Sequence, residues 1–307
     1  MQHCHGNLQR LEISKSCDNI NSIVLDYFPM LEVLSLESCE NLESLTCSEQ
    51  PHPPMLPFRT RFQLKDCPKF VSFPHGGLHA PNLEDFRIED CNMLRLKISD
   101  SCDSMKSILL DYFPKLNELD LDYCVNLESF EFSQSPRPAL HSLRCFKLTT
   151  CPKFVSFPQG GLAAPNMDEF HIEDCKNFRG CNKLEFPGKQ CYASLRRLDI
   201  MSSCDFMTSI HLDCLPMLNE LLLGDLQSLE SLTFLERPAS PSELMFLRYM
   251  ELHRCPEFVS FPQGGLSAPN MQELWIMFMW AHDACVVVAM DKKRRILCLF
   301  LDLTYAD

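Results

Sequence analysis

The sequence predicts a right-handed solenoid of parallel β-strands, on two observations. One phrase is written three times, as CPKFVSFPHGGLHAPNLEDFRIEDC (67–91), CPKFVSFPQGGLAAPNMDEFHIEDC (151–175) and CPEFVSFPQGGLSAPNMQELWIMFM (255–279), so the chain is built by stacking like units. A shorter pattern, L-x-x-L-x-L-x-x-C, runs through and between these copies, as at Leu31-Leu34-Leu36-Cys39, Leu116-Leu119-Leu121-Cys124 and Leu143-Phe146-Leu148-Cys151. A unit of that length cannot bury its apolar edge alone. Parallel strands laid side by side bury the Leu, Ile and Phe of every unit in one continuous core, and the general crossover rule makes the coil right-handed.

The inner pattern is the leucine-rich-repeat signature, in which a short strand points alternate apolar side chains inward and an Asn or Cys closes the following turn. Successive strands are 23 (Leu11 to Leu34), 28 (Leu34 to Phe62) and 24 (Phe62 to Phe86) residues apart, and four rungs make one long copy. The expected class is an α/β leucine-rich-repeat solenoid of about twelve rungs over residues 1–276, with a parallel sheet on the concave face and loops and short 3₁₀ turns on the convex face.

The convex return is read from F-V-S-F-P, G-G-L and A-P-N. Pro74, Pro158 and Pro262 fix extended backbone, the pairs Gly76-Gly77, Gly160-Gly161 and Gly264-Gly265 permit positive φ, and Pro81-Asn82, Pro165-Asn166 and Pro269-Asn270 set the approach to the next strand. The glycine pairs are turn formers, because no G-x-x-x-x-G-K-[ST] phosphate loop occurs. Ten of the 18 cysteines (Cys17, Cys39, Cys67, Cys91, Cys102, Cys124, Cys151, Cys175, Cys204 and Cys255) fall three or four residues after a strand's last apolar position. That regularity predicts buried, reduced thiols that fill a small niche and donate to loop carbonyls.

Two places break the repeat. Ile88 and Ile98 are 10 residues apart where the matching Ile172 and Ile200 are 28 apart, so a defect is expected near 92–98, with one strand displaced or leaving the sheet. Composition then changes at 277–307, where two apolar runs (284–290 and 296–301) flank Lys292-Lys293-Arg294-Arg295, and this stretch is expected to be an atypical C-terminal cap or an aberrant tail.

No apolar run is long enough to cross a bilayer, and the opening MQHCHGNLQRLEI lacks a secretory signal's basic start and apolar stretch, so a cytoplasmic protein is expected. Catalytic signatures such as G-x-S-x-G, H-E-x-x-H and C-x-x-C are absent, which predicts no enzymatic activity and no cofactor. His3-Cys4-His5 reads as a frayed terminus, and no metal is expected.

The phrase C-x-x-F-x-S-F-P-x-G-G-L-x-x-P-N-[LM], alternating with D-[YC]-[FL]-P-x-L-x-x-L-x-L (Asp26 to Leu36, Asp111 to Leu121, Asp213 to Leu223), resembles the leucine-rich-repeat region of plant intracellular disease-resistance proteins of the coiled-coil, nucleotide-binding type. The resemblance covers roughly 8–276. It implies a cytosolic immune receptor whose repeats sense pathogen effectors or their host targets in the defence response and restrain an ATPase module. The nucleotide-binding motifs and coiled-coil segment of that family are missing from these 307 residues, so the expectation is a fragment lacking that module. The alternative is a stand-alone leucine-rich-repeat adaptor, such as a ubiquitin-ligase substrate-recognition subunit, which would need an F-box-like helical segment before the repeats.

Strand residues pointing away from the core should form columns along the concave sheet. Between the two apolar strand positions stand Arg87, Lys97, Asp120, Lys147, His171, Asp199, Leu222, Glu251 and Trp275, and the next column holds Glu37, Lys65, Glu89, Asp122, Thr149, Glu173 and His253. Arg87, Lys97, Asp120, Lys147, His171, Asp199, Glu251 and Trp275 are the candidate protein-binding residues, with Trp275 and His171 as anchors. The partner expected is a protein: a pathogen effector, a host target or the receptor's own nucleotide-binding module. The chain's net charge of −13 disfavours nucleic acid, and no membrane partner is expected.

Overall fold

In a computed structural model the chain divides into two compact units, Met1–Phe154 and Val155–Asp307. The structure describes residues 5–15, 19–47, 61–70, 85–89, 91, 95–99, 106–110, 113, 115–132, 139–157, 162–179, 185–186, 192–234, 243–262, 265–277, 284–290 and 295–302. The first unit holds β1 (Arg10–Ser14), β2 (Ser22–Val24), β3 (Val33–Glu37), β4 (Ser44–Thr46), β5 (Arg61–Lys65), β6 (Asp85–Glu89), β7 (Arg95–Ser99), β8 (Ser107–Leu109), β9 (Glu118–Asp122), β10 (Ser129–Glu131) and β11 (Cys145–Thr149). The second holds β12 (Glu169–Glu173), β13 (Glu185–Phe186), β14 (Arg197–Met201), β15 (Ser209–His211), β16 (Glu220–Gly224), β17 (Ser231–Thr233), β18 (Tyr249–His253), β19 (Leu266–Ser267), β20 (Glu273–Met277), β21 (Ala284–Met290) and β22 (Arg295–Asp302).

Twelve of the described strands are five residues long, and each carries one copy of the L-x-L core of the repeat. In the first unit they pair in parallel as β1-β3-β5-β6 and as β7-β9-β11. In the second they pair as β12-β14-β16-β18-β20. Equivalent positions lie side by side, so Leu198, Leu221, Met250 and Leu274 form one inward row and Ile200, Leu223, Leu252 and Ile276 the next. Rows of like side chains at strand spacing pack without voids, and each buried Leu or Ile contributes roughly 1.5–3 kcal/mol. Leu11 and Ile13 on β1 and Leu274 and Ile276 on β20, the first and last of the long strands, are only half-buried.

The return side is more regular than its prolines suggest. It carries 3₁₀ turns at Leu25–Tyr27 and Leu212–Cys214, inside the D-[YC]-[FL]-P motif, and short parallel ladders β2-β4, β8-β10 and β13-β15-β17. No α-helix occurs among the described residues. Both phenylalanines of F-V-S-F turn inward, with Phe154 5.0 Å from Phe130 in the first unit and Phe157 5.1 Å from Phe178 in the second. Gly265 has φ 89, the positive value anticipated for the G-G-L turn, and its N–H donates to the Pro262 carbonyl. Gly76, Gly77, Gly160, Gly161 and Gly264 lie outside the described residues, as do Pro74, Pro81, Asn82 and Pro158.

A feature invisible in the sequence ends nine of the long strands, those whose following residue is described. Lys15, Ser38, Asp66, Tyr123, Thr150, Asp174, Ser202, Asp225 and Arg254, each the residue after a strand, hold φ between 47 and 56, and none is glycine. The left-handed conformation turns the chain sharply inward. In seven of them the N–H of this residue still extends the ladder, as from Ser38 to Lys65 O at 2.8 Å and from Arg254 to Met277 O at 2.8 Å.

In six of the nine the next residue is the cysteine, and after Asp225 it is the buried Leu226. The cysteine's buried thiol donates back to the carbonyl two residues earlier, at 3.3 Å for Cys151 to Thr149 O and Cys175 to Glu173 O, and at 3.4 Å for Cys255 to His253 O. Cys204, four residues after Ile200 and buried, does not itself hold the ladder position. In its rung Ser203 occupies the ladder position, buried, its hydroxyl donating to Met201 O at 2.7 Å and accepting the Cys175 N–H at 2.9 Å. Cys204 is one extra residue, accommodated by a second left-handed turn at φ 58. Cys17 and Cys102 lie outside the described residues, and the cysteines described are free thiols.

At the irregular spacing, β6 is the last strand of one sheet and β7 the first of another, with Ile88 and Ile98 both buried. At the C-terminus β21 and β22 form an antiparallel hairpin, and β22 also pairs antiparallel with β19 through Leu266 and Ile296. Among the described residues no helix is long and apolar enough to cross a membrane.

Candidate recognition face

Strand alternation divides each five-residue segment into two inward and three outward side chains. The inward ones are Leu, Ile, Phe and Met, whereas the outward ones change from rung to rung. On the second unit the outward columns are Glu169, Arg197, Glu220, Tyr249 and Glu273; then His171, Asp199, Leu222, Glu251 and Trp275; then Glu173, Met201, Gly224, His253 and Met277.

The structure brings some of the eight candidates together and separates others. In the first unit Asp120 lies in register between Lys97 and Lys147, with Lys97 Nζ 2.9 Å from Asp120 Oδ2. That contact holds the Lys97 pKa above its ordinary value, despite the opposing effect of partial burial. Arg87 stands on β6, beside Gln63 in the other sheet of that unit. In the second unit His171 Nδ1 lies 3.1 Å from Asp199 Oδ2, and Arg197 reaches Asp199 at 3.2 Å and Glu220 at 2.7 Å. Burial alone would raise the Asp199 pKa, but His171 and Arg197 together hold it below the ordinary carboxylate range.

Glu251 and Trp275 are register neighbours. Tyr249 donates its hydroxyl to Glu251 Oε2 at 2.7 Å, which pushes the Tyr249 pKa up to about 12 and keeps the phenol protonated. Trp275 is 60% and Met277 63% exposed, the largest values among the described large apolar residues. Gly224 is where a Cβ could not fit as things stand, since it would lie 2.4 Å from the His253 ring and 2.6 Å from Met201 Sδ. The missing side chain lets the imidazole lie across β16, with Nδ1 3.2 Å from Glu251.

Sequence reading named the second and third outward columns but not the first. Arg197, Glu220, Tyr249 and Glu273 were reachable by carrying the two-residue period one step before the first apolar position. Of His3-Cys4-His5, only His5 is described, stacked on Phe28 at 5.9 Å. No group of three or more His, Cys, Asp or Glu that could hold a metal occurs among the described residues.

No family model matches the chain. A disease resistance protein of Arabidopsis thaliana is 28% identical over 176 residues, which is 56% of this chain and 11% of the relative. An RPP13-like disease resistance protein of Arabidopsis thaliana is 24% identical over 154 residues, 50% of this chain and 13% of that protein. The leucine-rich repeat domain of the type III effector XopL is a solved structure with 18% identity and a TM-score of 0.23, covering 56% of this chain and 63% of that one. The chain thus spans about a tenth of the length of the curated relatives it matches. It is a leucine-rich-repeat solenoid similar in sequence to plant disease resistance proteins.

Proposed function

We propose that the chain is the protein-recognition module of a plant immune receptor, sensing pathogen effectors or their host targets in the defence response through the outward face of its long strands. One observation carries the reading: inward positions are drawn from four apolar residue types, while outward positions mix acids, bases, histidines and aromatics that differ at every rung. A scaffold that is uniform inside and varied outside presents a surface able to discriminate partners without disturbing its own fold. Similarity to disease resistance proteins supports the biological setting.

In this reading Arg87, Lys97, Asp120, Lys147, His171, Asp199, Glu251 and Trp275 contribute to binding, the receptor is cytoplasmic, and its nucleotide-binding module lies outside these residues. The chain performs no catalytic step. The repeats over 1–276 are the recognition domain, and the pairing of β22 with β19 supports a capping role for 277–307.

The test is a pairwise interaction screen against pathogen effectors and host proteins. Wild type runs beside a Lys147→Ala, His171→Ala, Trp275→Ala variant whose circular dichroism matches wild type. Partners retained by wild type and lost by the variant are expected; partners bound equally by both would contradict the reading. Transcript sequencing across both ends completes the test, with a nucleotide-binding module upstream in frame as the expected result and an F-box favouring the adaptor alternative.

A further inference from the structure

On β18 and β20 the outward side chains make a checkerboard: Tyr249 is beside Glu273, and Glu251 is beside Trp275. Two aromatics occupy one diagonal and two carboxylates the other, about 4.8 Å apart along each row. Glu251 is fixed by the Tyr249 hydroxyl at 2.7 Å, and Glu273 accepts from Trp275 Nε1 at 3.4 Å. The indole is 60% exposed, with Met277 beside it.

Two nearby carboxylates are matched by arginine within the chain, Glu220 with Arg197 and Asp225 with Arg254. Among the described residues no lysine or arginine pairs with Glu251 or Glu273, whose nearest potentially cationic contact is His253 Nδ1, 3.2 Å from Glu251. An exposed indole framed by two unmatched carboxylates is complementary to a planar cation. A guanidinium can lie on the ring while its N–H edges meet the acids, which the compact ammonium of lysine does less well.

We infer that Tyr249, Glu251, Glu273 and Trp275 form a subsite for an arginine side chain presented by the protein partner, with Met277 covering the aliphatic stem. This rests on the recognition role proposed above and names the chemistry of what is recognised.

The probe is a fluorescein-labelled peptide of alternating glycine and arginine, titrated by anisotropy into the full 307-residue chain, with lysine and citrulline peptides in parallel. The arginine peptide should bind more tightly than the lysine one and much more tightly than citrulline. Trp275→Ala should weaken it by about tenfold, and Glu251→Gln with Glu273→Gln by at least as much. Glu169→Gln, which removes an acid from the same face three strands away from Glu251, should change affinity less than twofold.

A Trp275→Ala loss accompanied by an altered circular dichroism spectrum is replaced as evidence by Trp275→Phe, which keeps a ring and should retain most of the affinity. Equal affinity for arginine and lysine peptides, an unchanged affinity in Trp275→Ala, or an equal loss in Glu169→Gln would overturn the inference. If wild type binds no arginine peptide yet the screen above finds partners lost with the face variant, this subsite fails and the recognition role stands.

Discussion

Replacing Ser203 by alanine tests the turn chemistry of the solenoid at the one described rung where serine takes the cysteine's place. Ser203 is fully buried, and its hydroxyl donates to Met201 O at 2.7 Å while accepting the Cys175 N–H at 2.9 Å. The two bonds are unequal in consequence. Met201 O keeps a second donor, the Asp174 N–H at 3.1 Å, so losing the hydroxyl leaves it satisfied. The Cys175 N–H loses the Ser203 hydroxyl as its acceptor, and a buried donor deprived of its acceptor costs roughly 1–3 kcal/mol. Ser203→Ala should therefore destabilise by about 2 kcal/mol, and with a urea m-value of about 2 kcal/mol/M the unfolding midpoint falls by about 1 M. Ser203→Cys restores the thiol used at this register elsewhere and should cost under about 1 kcal/mol. Urea unfolding followed by far-ultraviolet circular dichroism measures both. An alanine variant as stable as wild type, or a cysteine variant less stable than the alanine one, would refute the assignment of Ser203 to the ladder position.

Thr150 holds a β-branched side chain at φ 50, so Thr150→Gly relieves a conformation costing roughly 1–2 kcal/mol against about 0.5–1 kcal/mol of added unfolded-chain entropy. Its urea midpoint should rise, and a fall would contradict the strain argument. Gly224→Ala should destabilise by displacing the His253 ring and Met201, whereas in a background carrying His253→Ala and Met201→Ala the same change should be neutral or stabilising; a cost that persists there would locate the problem in the backbone. Asp199 has a depressed folded-state pKa, so its stabilisation is complete above the unfolded value of about 4 and is lost as pH falls through the folded value. Wild type should thus be more stable than Asp199→Asn at pH 7, with the gap closing as pH falls from about 4 through the lower folded value, and a gap that widens over that range would contradict the sign.

The fold was legible in the sequence because the repeat imposes one physical requirement many times. L-x-L places two apolar groups on one side of a strand, and the long strands coincide with that pattern even where Phe or Met replaces Leu, as at Phe62, Phe170 and Met250. The irregular spacing between Ile88 and Ile98 was visible as a count, and it falls where two sheets of the first unit are separate. What escaped was conformation that residue identity does not encode. Nine non-glycine residues turn left-handed; seven of them, among them Ser38 and Arg254, extend the ladder through their N–H, and seven are followed by a buried thiol or hydroxyl, which helps hold the turn. Cys204 looked like a ladder cysteine, yet the one-residue insertion passed that role to Ser203. The outward columns were readable by alternation, but the pairing of His171 with Asp199, the lack of a lysine or arginine beside Glu251 and Glu273 among the described residues, and the packing of the His253 ring over Gly224 depend on which side chains meet across strands, and cross-strand register is set by lengths of intervening chain rather than by local pattern.

The run Leu221-Leu222-Leu223 on β16 offers the sharpest measurement, since three identical residues occupy opposite sides of one strand. Leu221 and Leu223 are fully buried, and Leu222 lies on the outward face between Asp199 and Glu251. Aspartate is placed at each position in turn and stability is measured by urea unfolding. A parallel solenoid with this alternation predicts that Leu222→Asp stays within about 1 kcal/mol of wild type while Leu221→Asp and Leu223→Asp each lose more than about 4 kcal/mol or fail to fold. Tolerance at Leu221 or Leu223, or collapse at Leu222, would contradict it.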